Sequence, residues 1–335
     1  MKFTEIQKKQ LIIYVLVAFG FTFLMGAVMA YGYFQGIDVS TFPNAQMFYP
    51  AAGAMLAILI TRKGDEKIPK RFFIMFIALT TVMAVICIAS IIVFMPTTWA
   101  LAIQLVIIAG SVLGWIFMLT EKKEKREAYG LRMKNWKKSA FCVVLFLFIY
   151  LLRTAISYGM SGQIQVMESI FTDATTWMLI VSLPVNFFIV FTAFFGEEYG
   201  WRYYLQPLLQ QRFGLRGGVL VLGVVWGLWH MPVNFFYYSP GSGLASMAGQ
   251  QITCITLGIF FAYAYMKTQN IWVPVILHYL NNNMVPIITG SYGANVLQNN
   301  QVTWSALLPS LLINGLLFGI FIFAKEFRKR TEAAH

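Results

Sequence analysis

Two adjacent carboxylates, two histidines and several asparagines stand in stretches that are otherwise apolar. The run Glu197-Glu198-Tyr199-Gly200-Trp201-Arg202 is followed by Trp226-Gly227-Leu228-Trp229-His230, and then by His278-Tyr279-Leu280-Asn281-Asn282. A carboxylate and an imidazole sharing one water can act as general base and general acid. A second imidazole with an amide N–H can stabilise an oxyanion. Such a set meets the needs of hydrolysing an acyl bond with activated water. On a helix, Glu198 and Arg202 lie one turn apart and can pair, which leaves Glu197, pointing about 100° away, free. His278 and Asn282 also lie one turn apart, and Asn281 could fill the same role. Asn234 follows His230 at the same interval, so a His-xxx-Asn spacing is not unique to one helix.

Other hydrolase patterns are missing from the sequence. It holds no HExxH for a zincin site, no GxSxG nucleophile elbow, and no Asp inside an apolar run. Each polar residue alone has a plainer explanation, as a solvated helix end or a hydrogen-bonded helix contact. Their coincidence at one depth does not. Counted from Arg212, Arg216 and Lys267, the residues Glu197, His230 and His278 sit about 16–22 Å from the basic edge, if the helix bearing Glu197 continues past it.

The elements that must position these groups are membrane helices. The chain has 335 residues, 59% apolar and only 11% charged, against about 25% charged in a soluble domain; its mean hydropathy is +0.67. Apolar segments fall at about 11–34, 46–61, 72–95, 99–119, 139–158, 177–200, 218–238, 247–266, 271–289 and 304–324. All should be helical, since backbone in lipid must satisfy its own hydrogen bonds. The expectation is an all-α, polytopic bundle of about ten spans in the cell membrane. Of 25 Lys and Arg, 24 lie before the first span or in every second gap, and only Arg153 lies within a span. The positive-inside rule then places both termini in the cytoplasm. Arg153 is expected to snorkel or to pair with Glu168 or Asp173. The net charge of +12 comes in short clusters between apolar runs, which does not suggest nucleic acid. Cys87, Cys142 and Cys254 each sit in an apolar run without a pairing pattern. The basic loop 121–138 divides a four-helix region, 1–138, from a six-helix region, 139–335, whose core at about 175–290 holds all the motifs. Gly223/Gly227 and Gly315/Gly319 suggest close helix packing.

These motifs resemble those of the CPBP family of intramembrane proteases, which includes type II CAAX prenyl endopeptidases and bacteriocin-processing or self-immunity proteins. The family pattern is EExxxR, FxxxH and HxxxN or HxxxD on successive helices; here it reads EEYGWR, WGLWH and HYLNN, with Trp226 in place of Phe. The resemblance implies a catalytic cavity inside the membrane, open towards the cytoplasm. It implies Glu197 as the activator of water, His230 as its assistant, and His278 with Asn282 as the oxyanion site. Glu198 and Arg202 would order the helix end, with Trp226 in support. No cofactor is expected; Glu197, His230 and His278 could bind Zn²⁺ if a metal is used.

The expected function is thus cleavage of a peptide or membrane-protein substrate at the bilayer, with peptide processing or bacteriocin immunity favoured over CAAX cleavage because nothing in the sequence indicates a prenyl pathway. A non-catalytic scaffold, chaperone or immunity protein of the same fold is the alternative. A transporter is the third, weakened because no repeat relates the two halves.

Overall fold

The computed structural model describes residues 2–293 and 296–328, and among these there are helices and no strands. The main elements are α1 (Glu5–Phe34), α2 (Thr41–Gln46), α3 (Tyr49–Thr61), α4 (Lys70–Ile92), α5 (Pro96–Leu119), α6 (Lys123–Ala128), α7 (Trp136–Met160), α8 (Ile164–Thr172) and α9 (Ala174–Glu198). They continue with α10 (Gln206–Trp229), α11 (Gly243–Thr268), α12 (Trp272–Thr289) and α13 (Leu307–Leu317). Six helical stretches among the described residues are long and apolar enough to cross a membrane, so this is a multi-pass membrane protein. The ten apolar segments all coincide with helical structure, but five of them depart from a simple span. Segment 46–61 starts at the last residue of α2 and contains only the 13-residue α3. The segments 177–200 and 218–238 belong to one helical run, Ala174–Trp229, broken at Gly214 where φ is 77°. α12 reaches 18 residues, and its His278 and three consecutive asparagines dilute its apolar character. α13 is short and flanked by 3₁₀ turns.

The bundle has two recognisable ends. At one, Gln7 bonds Gln211, Tyr129 bonds Asp65, Asn135 bonds the Thr268 carbonyl, and Lys267 bonds Glu326. This end gathers the basic clusters; Lys329 and Arg330 of the last cluster lie outside the described residues. At the other end Thr176 bonds Tyr292, and the Asn299 and Asn300 N–H groups bond the carbonyls of Tyr237 and Tyr238. The basic loop 121–138 is more than a solvated connection. It includes α6, and Tyr129, Leu131 and Asn135 latch it to Tyr199, Trp272 and Thr268.

The N-terminal helices buttress the motif-bearing ones. Trp229 Nε1 donates to the Ala18 carbonyl at 2.8 Å, and Gln46 Nε2 donates to the Trp229 carbonyl at 3.0 Å. Gly223 and Gly227 bring α10 against Ile255 and Gln251 of α11, as their spacing suggests. Gly315 faces open space and Gly319 only loose contacts, so that pair does not mark a tight crossing. Arg153 finds neither Glu168 nor Asp173 within ion-pair distance; its guanidinium lies over the Tyr150 ring at 4.4 Å.

Candidate active site

The helix bearing the carboxylates does continue past them. After Glu198 the chain widens into a π-helical segment, Tyr199–Leu205, and then resumes as α10. Such bulges recur at functional sites because they re-aim side chains within a continuous helix. Two glycines let this segment press against the N-terminal helices. A Cβ on Gly196 would strike the Met47 carbonyl, and one on Gly200 would strike Pro50. The carboxylates are thereby driven into the protein, with Glu197 2% and Glu198 0% exposed.

Glu198 pairs with Arg202 as expected, Oε2 accepting from Nε at 2.9 Å with both side chains fully buried. Its other oxygen, Oε1, accepts from His278 Nδ1 at 2.9 Å. The Arg202 guanidinium also lies 4.9 Å from the Trp226 ring centroid and 5.6 Å from that of Phe261, while Nη1 and Nη2 have no hydrogen-bond partner.

Glu197 is not left free. Its Oε2 accepts from Trp226 Nε1 at 2.8 Å and from Trp201 Nε1 at 3.3 Å, so Trp226 supplies polar chemistry as well as packing. The Trp226 ring lies 5.9 Å from the His230 ring and 5.6 Å from the His278 ring, so the indole that bonds the carboxylate neighbours both imidazoles. His230 Nδ1 lies 2.8 Å from the Trp226 carbonyl. A carbonyl only accepts, so Nδ1 carries the proton and Nε2 presents its lone pair. Asn282 Oδ1 accepts from Asn281 Nδ2 at 3.0 Å, which leaves the Asn282 amide N–H pair as the unspent donor and makes Asn281 its orienting neighbour. Asn234 is committed elsewhere, to the His230 carbonyl and to Ser246 Oγ.

These groups line one cavity of about 290 Å³. Glu197, His230, His278 and Asn282 all reach it. So do Pro43, Gln46 and Met47 from the N-terminal region, where the sequence offers no ionisable residue to draw notice. Trp201 is a further site residue, and its place one turn after Glu197 inside the motif is the signal for it. Among the described residues no three His, Cys, Asp or Glu side chains converge as metal ligands. Zinc at Glu197, His230 and His278 would also compete with the two indole N–H bonds on Glu197.

On the basic side Trp201 and Arg202, each 0% exposed, lie behind the cavity-lining Glu197 and Trp226. The cavity walls rise through Asn281, Asn282 and Val285 to exposed Leu297 and Asn300. The mouth and the two described chain ends are therefore at opposite ends of the bundle. A cytoplasmic mouth, implied by the resemblance, and cytoplasmic termini, expected from the charge bias, exclude one another.

Residues 176–284 match the family model described as Type II CAAX prenyl endopeptidase Rce1-like. The chain is also similar to CAAX prenyl protease 2 of Methanococcus maripaludis, with 27% identity over 166 residues, covering 46% of this chain and 58% of that protein. No solved structure matches the chain. The matched residues carry all three motifs and most of the cavity wall, and over them the chain is similar to the Rce1-like type II CAAX prenyl endopeptidases.

Proposed function

We propose that the protein is an intramembrane endopeptidase that hydrolyses a peptide bond with water activated by Glu197. The observation that carries this reading is the Trp226 indole, which holds Glu197 beside both imidazoles at the base of one cavity. Glu197 Oε1 takes a proton from water as its oxygen attacks the carbonyl carbon. The resulting oxyanion is met by Asn282 Nδ2–H and by His278 Nε2–H, the latter charged when Glu198 stabilises the imidazolium. Collapse expels the amine, which receives the proton from Glu197 with His230 Nε2 as relay. Glu198 and Arg202 hold His278 in place. No metal takes part in this scheme.

The relative's name points to prenylated C-terminal tails as substrates. The cavity walls offer neither Lys nor Arg to a terminal carboxylate, which favours cleavage within a peptide, as in the processing or immunity roles suggested by the motifs. Membrane peptides compared between cells carrying the parent and cells carrying Glu197→Gln test this reading. Intact precursors should accumulate in the variant alone. Identical peptide profiles would favour the scaffold alternative.

A further inference from the structure

We infer that the catalytic cavity is entered from the non-cytoplasmic side, and that its substrate is a neutral or basic peptide segment presented at that surface. The inference rests on the endopeptidase reading for its substrate, but not for the direction of access.

Direction follows from charge and shape together. Among the described residues, every Lys and Arg other than the buried Arg153 and Arg202 belongs to the end where α6, α10 and the described termini meet. The opposite end carries Asp38, Glu168 and Asp173 and, among the described residues outside the spans, no Lys or Arg. The bias of Lys and Arg sets orientation, so the acidic end faces away from the cytoplasm. The cavity opens at that same end. Its rim is built by Leu297, Asn300 and Val302, which follow α12, and by Tyr238 and Ser239, which follow α10. Hydrogen bonds tie these two stretches together, Asn299 N–H to the Tyr237 carbonyl at 3.0 Å and Asn300 N–H to the Tyr238 carbonyl at 2.7 Å. Towards the cytoplasm the site is closed by Trp201, Arg202 and Phe261, all fully buried.

The chemistry of the occupant follows from the walls. Apart from Glu197, the histidines and the buried Cys254, the lining is amide, hydroxyl and apolar. Gln46, Gln250, Asn281 and Asn300 can bond an extended backbone, while Met47 and Val285 accept uncharged side chains. The acidic residues Asp38, Glu168 and Asp173 carried by this end of the bundle attract basic flanks and repel acidic ones.

Single cysteines at exposed Asn300 and, as a control on the other end, exposed Lys63 test the direction with a bulky, membrane-impermeant maleimide. The three native thiols are buried, and the parent chain gives the background. Asn300→Cys should label in intact cells, and Lys63→Cys only after permeabilisation. The inference is overturned if Asn300→Cys fails to label in intact cells while the denatured chain labels normally, or if Lys63→Cys labels there. Labelling needs no catalysis, so repeating it in Glu197→Gln separates an error in access from an error in the endopeptidase reading.

Discussion

His278 Nδ1 lies 2.9 Å from Glu198 Oε1, so the carboxylate that neutralises Arg202 also fixes the imidazole of a different helix. Two charged or potentially charged partners thus share one fully buried carboxylate. Removing one partner from a buried pair leaves an uncompensated charge and costs about 3–5 kcal/mol. Glu198→Ala and Arg202→Ala should each lower the detergent melting temperature. The double variant should lose less than the sum, because it strands no lone charge. Strict additivity would mean that the two do not interact. Glu198→Ala should also slow cleavage by releasing His278, even at temperatures where the variant remains folded.

Gly200 is needed for the approach of the π-helical segment to α3. A methyl group there meets Pro50, including its backbone, and cannot be relieved by a side-chain rotation. Overpacking of this kind costs about 1–3 kcal/mol. We expect Gly200→Ala to lower the melting temperature and to reduce cleavage, since the backbone shift moves Glu197 as well. A variant with parental stability and rate would show that the segment has room to spare.

Trp226→Phe separates the ring from its N–H. The ring continues to pack against Arg202 and the imidazoles, but Glu197 loses the 2.8 Å donor. A hydrogen bond to a charged group contributes about 1.5–3 kcal/mol. The protein should still fold, with cleavage slowed by about tenfold or more through misplacement of Glu197. An unchanged rate would return Trp226 to a packing role, the one a family Phe at this position implies.

The latch between the basic loops gives a pH-dependent signature. Tyr129 Oη donates to Asp65 Oδ2 at 2.6 Å. That bond, followed by the Lys67 N–H and the charges of Arg62 and Lys67, holds the Asp65 carboxyl below its usual range. A depressed folded-state value means the stabilisation is present above the unfolded value, about 3.9, and fades as pH falls through the folded one. Parent and Asp65→Asn should therefore differ in melting temperature at neutral pH, by the equivalent of about 1 kcal/mol, and converge in strong acid. Tyr129→Phe should behave similarly and add little to Asp65→Asn. A difference that persists unchanged below pH 3.9 would place the stabilisation elsewhere.

Much of this site is legible in the sequence because buried charge is costly and its spacing is constrained. Glu198 and Arg202 fall one turn apart, and the periodic helix predicts their pairing directly. The link from Glu198 to His278 joins residues 80 positions apart, and no helical period encodes it. Glu197 reads as unpartnered because an indole N–H carries no charge to draw attention, although Trp201 and Trp226 both stand in the motifs. The helix count is less legible. The short α3 accounts for the apolar segment 46–61, while the asparagines that equip α12 for its site make it look less like a membrane helix. The direction of the cavity mouth depends on which residues cap it, and Leu297 and Asn300 are ordinary loop residues until the fold places them.

Glu197 carries the chemistry in this scheme, and its substitution is the sharpest test. Glu197→Gln keeps the shape and can still accept the indole N–H bonds through its amide oxygen, but it cannot take a proton from water. Loss of a general base costs about 10²–10⁴ in rate. His278→Ala and Asn282→Ala each remove an oxyanion donor and should cost about 10²–10³. Glu197→Gln and Asn282→Ala should fold and bind substrate, because they remove interactions made in the transition state rather than the ground state. His278→Ala also strips a partner from Glu198 and should lose stability. A zinc mechanism forecasts a different pattern, with activity abolished by chelation and restored by about one equivalent of metal. Purified protein assayed for peptide cleavage with and without chelator distinguishes the two. Chelator-resistant activity that vanishes in Glu197→Gln supports glutamate-activated water. Parental cleavage by Glu197→Gln would remove Glu197 from the mechanism, and the carboxylate–imidazole pair of Glu198 and His278 would then be the base to test.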